Sequence, residues 1–294
     1  MLLVASPGLA QAQEVGAQEG DPPPSEATPS EATPSDSAPT EAAPSEATPS
    51  DPPPSEATPS DPPVFSSDRP GFSNTTTVAA VGHLTSELGL AASFDDDQRT
   101  LALPNLSLRV GLLDWLEARV RGPSGVLVFA DGADARGGAG DPSVGFKIGG
   151  RPVEALALSM DWEVSLPLGT DGFGAPEAGF FADLNADWSV WGPLTLTANL
   201  VASVSSALDE ATGETRRLLE GGGSLAFSWQ ALDVLGLYVQ SYALKQEGGV
   251  WRVHLGGGLT WRVAPRVQLD LSADARLTDQ GDPPTLGAGT TILW

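Results

Sequence analysis

Two histidines, His83 and His254, are the only side chains in this 294-residue sequence that titrate unperturbed near neutral pH. A serine hydrolase would need one of them beside a nucleophile, held by a third group. No serine stands in a Gly-x-Ser-x-Gly motif, and the sequence argues against an enzyme. Four carboxylates, Asp161, Glu163, Asp183 and Asp187, share the polar parity of neighbouring segments. Such a set suits a hard cation, but pairing with arginines or water is the plainer expectation, and no metal site and no cofactor are expected. Arg109, Arg119, Lys147, Arg252, His254, Arg262 and Arg276 fall on the same polar parity of other segments. The glycine runs 221–223 and 256–258 precede no helical pattern, so they cradle no phosphate. Within strands they signal bends or close packing.

The elements that carry these residues read as strands. In 250–263 the odd positions are apolar (Trp251, Val253, Leu255, Leu259, Trp261, Val263), and the even ones include Arg252, His254, Thr260 and Arg262. After Ala264-Pro265 the alternation restarts, with Val267, Leu269, Leu271 and Ala273 against Gln268, Asp270, Ser272 and Asp274. Period two means one apolar and one polar face. Strands of roughly 9–11 residues cross a bilayer at a tilt. Tryptophans 115, 188, 191, 251, 261 and 294 lie at strand ends, as indoles do at membrane interfaces.

Twelve such segments are expected: 78–94, 100–110, 115–121, 143–149, 155–166, 180–190, 194–205, 223–230, 235–244, 251–263, 267–277 and 286–294. Tight connections alternate with longer, Gly-rich, acidic ones, the pattern of short periplasmic turns and longer extracellular loops. The fold class predicted is all-β, an antiparallel up-and-down transmembrane barrel of about 12 strands behind a disordered Pro-rich tail. A soluble β-sandwich is the alternative.

Composition agrees. The formal net charge of −23 argues against nucleic acid. Cysteine is absent, which excludes disulfides and thiolate metal sites. Residues 1–12 end in Ala10-Gln11-Ala12, a small-x-small export-cleavage pattern, although no basic residue precedes the apolar run. Residues 13–63 hold 11 acids and no base, and repeat Pro-Ser-Glu-Ala-Thr at 24–28, 44–48 and 54–58. This segment cannot bury a core and is expected to be a disordered periplasmic linker, in contact with the cell wall or simply solvated. Residues 64–294 form the expected barrel.

Ser67-Asp68-Arg69-Pro70-Gly71-Phe72-Ser73 resembles the Thr-Asp-Arg-Pro-Asp-Phe-Thr opening of an outer-membrane barrel transporter family named for the meta-pathway of phenol degradation. Gly82 and Glu87 match the Gly and Glu that follow there, and Gly140-Asp141 and Pro167-Leu168-Gly169 resemble later motifs. Gly71 replaces the usual acid and Leu168 the usual Thr. The resemblance covers about 65–294 and implies a barrel that passes small molecules.

The expected function is therefore passive passage of small solutes across the outer membrane, small aromatic or hydrophobic compounds among them, with lipid and solute as partners. A non-conducting structural or interaction barrel is the alternative. On the lumen wall, Asp161, Glu163, Asp183 and Asp187 should face Arg252, His254, Arg262 and Arg276 across the ring. Arg109, Arg119 and Lys147 extend the basic side. Either a transverse field selects solutes, or ion pairs close the lumen.

Overall fold

The computed structural model describes residues 65, 67–209 and 212–294. The expected export signal over 1–12 and the linker over 13–63 lie outside the described residues. Fourteen strands follow in chain order: β1 (Leu84–Phe94), β2 (Gln98–Leu113), β3 (Leu116–Arg121), β4 (Gly125–Ala130), β5 (Arg136–Ala139), β6 (Ser143–Val153) and β7 (Leu156–Ser165). The rest are β8 (Gly179–Trp191), β9 (Leu194–Leu208), β10 (Thr215–Leu232), β11 (Leu235–Gln246), β12 (Trp251–Ala264), β13 (Val267–Arg276) and β14 (Thr285–Leu293). β1 pairs antiparallel with both β14 and β2, which closes a ring of twelve strands. Closure leaves no unpaired edge, the condition for a sheet to sit in lipid.

Side-chain parity sets inside and outside. Leu184, Leu200 and Leu225 are 53%, 66% and 56% exposed, whereas their neighbours Asp183, Asn199 and Ser224 are 1%, 3% and 6% exposed. The same inversion runs through β6, where Ser143, Gly145 and Lys147 are buried and Val144, Phe146 and Ile148 are not. A water-soluble barrel would bury the apolar set; here that set faces outward, as hydrocarbon requires. Among the described residues no helix is long and apolar enough to cross a membrane.

Five two-residue turns, 114–115, 154–155, 192–193, 233–234 and 265–266, define one rim. The longer connections define the other. Two departures from the sequence reading have local causes. First, 122–142 is not all loop, because β4 and β5 form an extra hairpin that pairs with the upper part of β2 through Gln98–Ala130 to Ala102–Val126. β3 stops at Arg121, just before Pro123, and β2 carries Pro104 between its β4-pairing and β3-pairing parts. Neither proline has an N–H to donate to a ladder. The run 125–130 was too short and too uniformly apolar to declare a period. Second, the first strand starts at Leu84, six residues later than expected. Gly82 turns the chain with φ 75°, in the left-handed region that glycine adopts freely. Everything before it among the described residues follows another path.

Candidate functional site

Residues 67–83 lie inside the barrel as a plug. Twelve strands enclose more space than wall side chains fill, and this segment occupies it. Ser67 starts the path, with its hydroxyl 2.8 Å from that of Thr291 on β14. Arg69 follows in a slot floored by the facing glycines Gly89 and Gly289, where any Cβ would collide with its guanidinium. It donates to Asp270 at 3.2 and 3.3 Å and to the Ala288 carbonyl at 3.2 Å. The backbone N–H groups of Phe72 and Ser73 donate to Gln240 on β11 at 3.1 and 3.2 Å.

Phe72 marks the top of the path. Its ring stacks on Tyr242 at 4.3 Å, and Tyr242 stacks on His254 at 4.5 Å. Around them Phe181, Val201 and Leu244 make the one apolar cluster of buried residues inside the described wall. His254 stands three positions after the loop-side start of β12, so the top lies near the loop rim.

The chain then returns. Ser73 meets Ser224 at 2.9 Å, Asn74 donates to Asp183 at 2.8 Å, and Thr76 donates through N–H and hydroxyl to Asp187 at 2.8 and 2.7 Å. Ala79 N–H donates to Glu117 at 2.6 Å, and Val81 bridges Gly111 near the tight-turn rim. A Cβ at Gly111 would collide with the carbonyls of Ala79 and Ala80. The plug therefore enters and leaves through the same rim.

Charge anchors its base. Asp68 is buried and receives Lys147 Nζ at 3.0 Å, Arg119 through Nη2, and Arg109 Nε at 3.8 Å. Glu117 receives Arg109 at 2.9 Å and Arg119 at 2.7 Å, while Arg119 also reaches Asp161 at 3.1 Å. Arg109 pairs with Glu87 at 3.2 Å, and Glu163 with Arg121 at 2.9 Å. Charges this deep in a low-dielectric interior persist only as matched, hydrogen-bonded sets. Lys147 also donates to the Thr75 carbonyl at 2.6 Å, so one ammonium holds both limbs of the plug.

The residues singled out from sequence thus divide into two groups. Arg109, Arg119, Lys147, Asp161, Glu163, Asp183 and Asp187 come together on β2, β3, β6, β7 and β8 around the plug. Arg252 pairs with Glu220 and, at 2.7 Å, with Asp282; His254 Nε2 lies 3.8 Å from the same Asp282. Arg276 reaches Asp95 at 3.2 Å, and the Arg262 guanidinium sits 5.5 Å from the Phe65 ring. The two arcs do not face each other across open space, because the plug stands between them. The acids on β7 and β8 find cations on β2, β3 and β6 or hydrogen bonds from the plug. His83 sits before β1, with Nδ1 3.1 Å from the Val81 carbonyl, and it is not a wall residue. No group of three or more His, Asp or Glu suited to a metal occurs among the described residues.

Sequence reasoning missed Asp68, Arg69, Asn74, Glu87 and Glu117 as site residues. The signal for the first two was the 67–73 motif. Glu87 was marked by the same family resemblance and by inward parity, and Glu117 by inward parity alone. The other motif residues also meet: Asp141 accepts from Gly169 N–H at 2.8 Å and Ala175 N–H at 2.7 Å, which ties β6's approach to the connection 166–178. The glycine run 256–258 gives room inside the wall. A Cβ at Gly258 would press on the Tyr238 ring and one at Gly256 on Asp274.

The family model described as "Putative MetA-pathway of phenol degradation" matches residues 67–294, the plug included. The chain belongs to this family. Among solved structures, this chain is similar to an outer-membrane channel from Pseudomonas putida F1, with TM-score 0.61 and 13% identity over 74% of this chain and 98% of that one. It is also similar to the NanC porin, with TM-score 0.50 and 9% identity over 71% of this chain and 98% of that one. At these identities the likeness is one of fold, that of outer-membrane channel barrels. A search of the curated proteins finds no sequence match.

Proposed function

We propose that this member of the family is an outer-membrane channel for passive passage of small solutes, closed by its own plug in the state described here. The carrying observation is that a chain segment, residues 67–83, occupies the lumen and is held to the wall by hydrogen bonds and ion pairs. Opening on this reading is movement of that segment out of the lumen. The apolar cluster and stacked rings at the loop-side mouth favour small aromatic or hydrophobic solutes there, in keeping with the family's name.

The tight-turn rim corresponds to the periplasmic side of such barrels. On this reading residues 13–63 are a periplasmic linker, with the cell wall within its reach, behind an export signal over 1–12. Deleting 13–63 should leave heat-modifiable gel migration of the barrel unchanged.

The seated plug itself favours a second reading, a non-conducting interaction barrel. A disulfide separates the two. The chain has no cysteine, so Ser73→Cys with Ser224→Cys introduces a single pair where two hydroxyls already touch. In planar bilayers the oxidised variant should stay silent and dithiothreitol should restore wild-type solute-permeable openings. A wild type that never conducts, oxidised or reduced, would leave the non-conducting reading standing.

A further inference from the structure

Asp183 stands apart from the other buried acids. It is 1% exposed, and no Lys or Arg nitrogen among the described residues comes within ion-pair distance of it. Its register partner on β7 is another carboxylate, Asp161, which is fully buried. Its partner on β9 is Val201, which offers no charge. On its own strand Asn185 spends its amide on Asp161 at 2.7 Å and on Ser159. Lys147 on β6 and Arg119 on β3 are directed to Asp161 and Asp68. Among the described residues, the neighbouring network holds five carboxylates, Asp68, Glu87, Glu117, Asp161 and Glu163, against four cations, Arg109, Arg119, Arg121 and Lys147. An ionised Asp183 would add to that negative excess from a side chain only 1% exposed to solvent.

The plug supplies the second observation. Asn74, fully buried, donates Nδ2–H to Asp183 Oδ2 at 2.8 Å. The two remaining oxygens of this pair, Asp183 Oδ1 and Asn74 Oδ1, are both buried and both lack a hydrogen-bond partner. Two orphaned acceptors on one contacting pair are costly. A hydrogen shared between them would satisfy both.

We propose that Asp183 is a proton-binding site that latches the plug. The neutral acid carries its hydrogen on Oδ1 and donates it to Asn74 Oδ1, while Asn74 Nδ2–H donates back to Oδ2, so acid and amide close a ring of two hydrogen bonds. Loss of that proton to water leaves a carboxylate whose Oδ1 lone pairs confront those of Asn74 Oδ1, and Asp161 confronts it across the strands. The returning limb then keeps one hydrogen bond at this pair instead of two, against the added repulsion. Its other contacts are unchanged: Asn199 to the Asn74 carbonyl at 3.0 Å, Lys147 to the Thr75 carbonyl at 2.6 Å, Thr76 to Asp187, Arg109 to the Thr77 carbonyl at 3.0 Å and Ala79 to Glu117. Proton release therefore favours the unseated plug, and the site couples lumen closure to pH.

The test begins with infrared difference spectra of folded protein in lipid vesicles, which do not depend on whether the barrel conducts. Wild type minus Asp183→Asn should show a protonated carboxyl band at neutral pH that disappears at alkaline pH. Asn74→Ala, which leaves the wall intact, should shift that band as the ring opens, and it serves even where Asp183→Asn folds poorly. No such band in folded wild type, as for a carboxylate held by water or a bound cation, overturns the site. An unchanged band in Asn74→Ala overturns the ring. Conductance is the second readout and rests on the channel reading. Alkaline pH should increase wild-type openings, and Asp183→Asn, whose amide keeps the ring but cannot ionise, should abolish that increase. An equal response in both overturns the latch.

Discussion

Replacing Asp68 by alanine should unseat the plug. Asp68 is the shared counter-ion of Lys147, Arg119 and Arg109, each of them at most 2% exposed. Removing one member of a buried ion set leaves uncompensated charge and costs about 3–5 kcal/mol. The barrel has a route of relief that a soluble core lacks. Once the plug moves, water from the tight-turn rim reaches the three cations. The penalty should therefore fall on seating of the plug, shifting that equilibrium by about 150- to 5,000-fold, with a smaller loss in resistance of the barrel to urea. Single-channel recording checks the first part and urea titration in vesicles the second. A variant that stays closed with an unchanged urea midpoint would show that Asp68 is not the anchor.

Leu200→Arg is expected to impair membrane insertion strongly. Leu200 lies mid-strand on β9, points outward between Leu184 and Gly223, and is 66% exposed. An arginine on the lipid face near the bilayer midplane costs about 2–4 kcal/mol. Leu168 is exposed to a similar degree, at 71%, but it sits in the connection 166–178 on the loop rim. Leu168→Arg should cost little. Folding yield into vesicles, read by heat-modifiable migration for the two variants side by side, separates a lipid-facing wall from a merely exposed one. Equal yields would contradict the orientation.

How far sequence reasoning reached follows from what each signal encodes. Strict alternation in β12 and β13 encodes strand and face together, so the twelve-strand ring was legible in the residues themselves. Parity does not encode partners. That Asp161 meets Arg119 and that Asp187 meets Thr76 depends on ring closure and on a segment that is no strand. The plug has no period at all: Asp68, Arg69, Phe72 and Asn74 each contact a different strand, 79 to 201 positions away. Its motif was visible and its task was not. β4 and β5 escaped because a six-residue apolar run beside a Gly- and Asp-rich stretch reads as readily as loop.

That the plug enters and leaves by one rim also fixes its mechanics. It is a bight tucked into the barrel and not a thread drawn through it. Withdrawal requires no end of the chain to pass the lumen, and the return limb stays tied to β1 throughout. A pull applied at residue 65 would peel contacts in sequence, first Ser67 from Thr291, then Asp68 from its cations, then Arg69 from Asp270, and only afterwards the stacked Phe72. Such peeling breaks one bond at a time and yields to small forces, whereas pressure from the loop side loads all of them at once. The closure yields to a pull on residue 65 and resists pressure from the loop side.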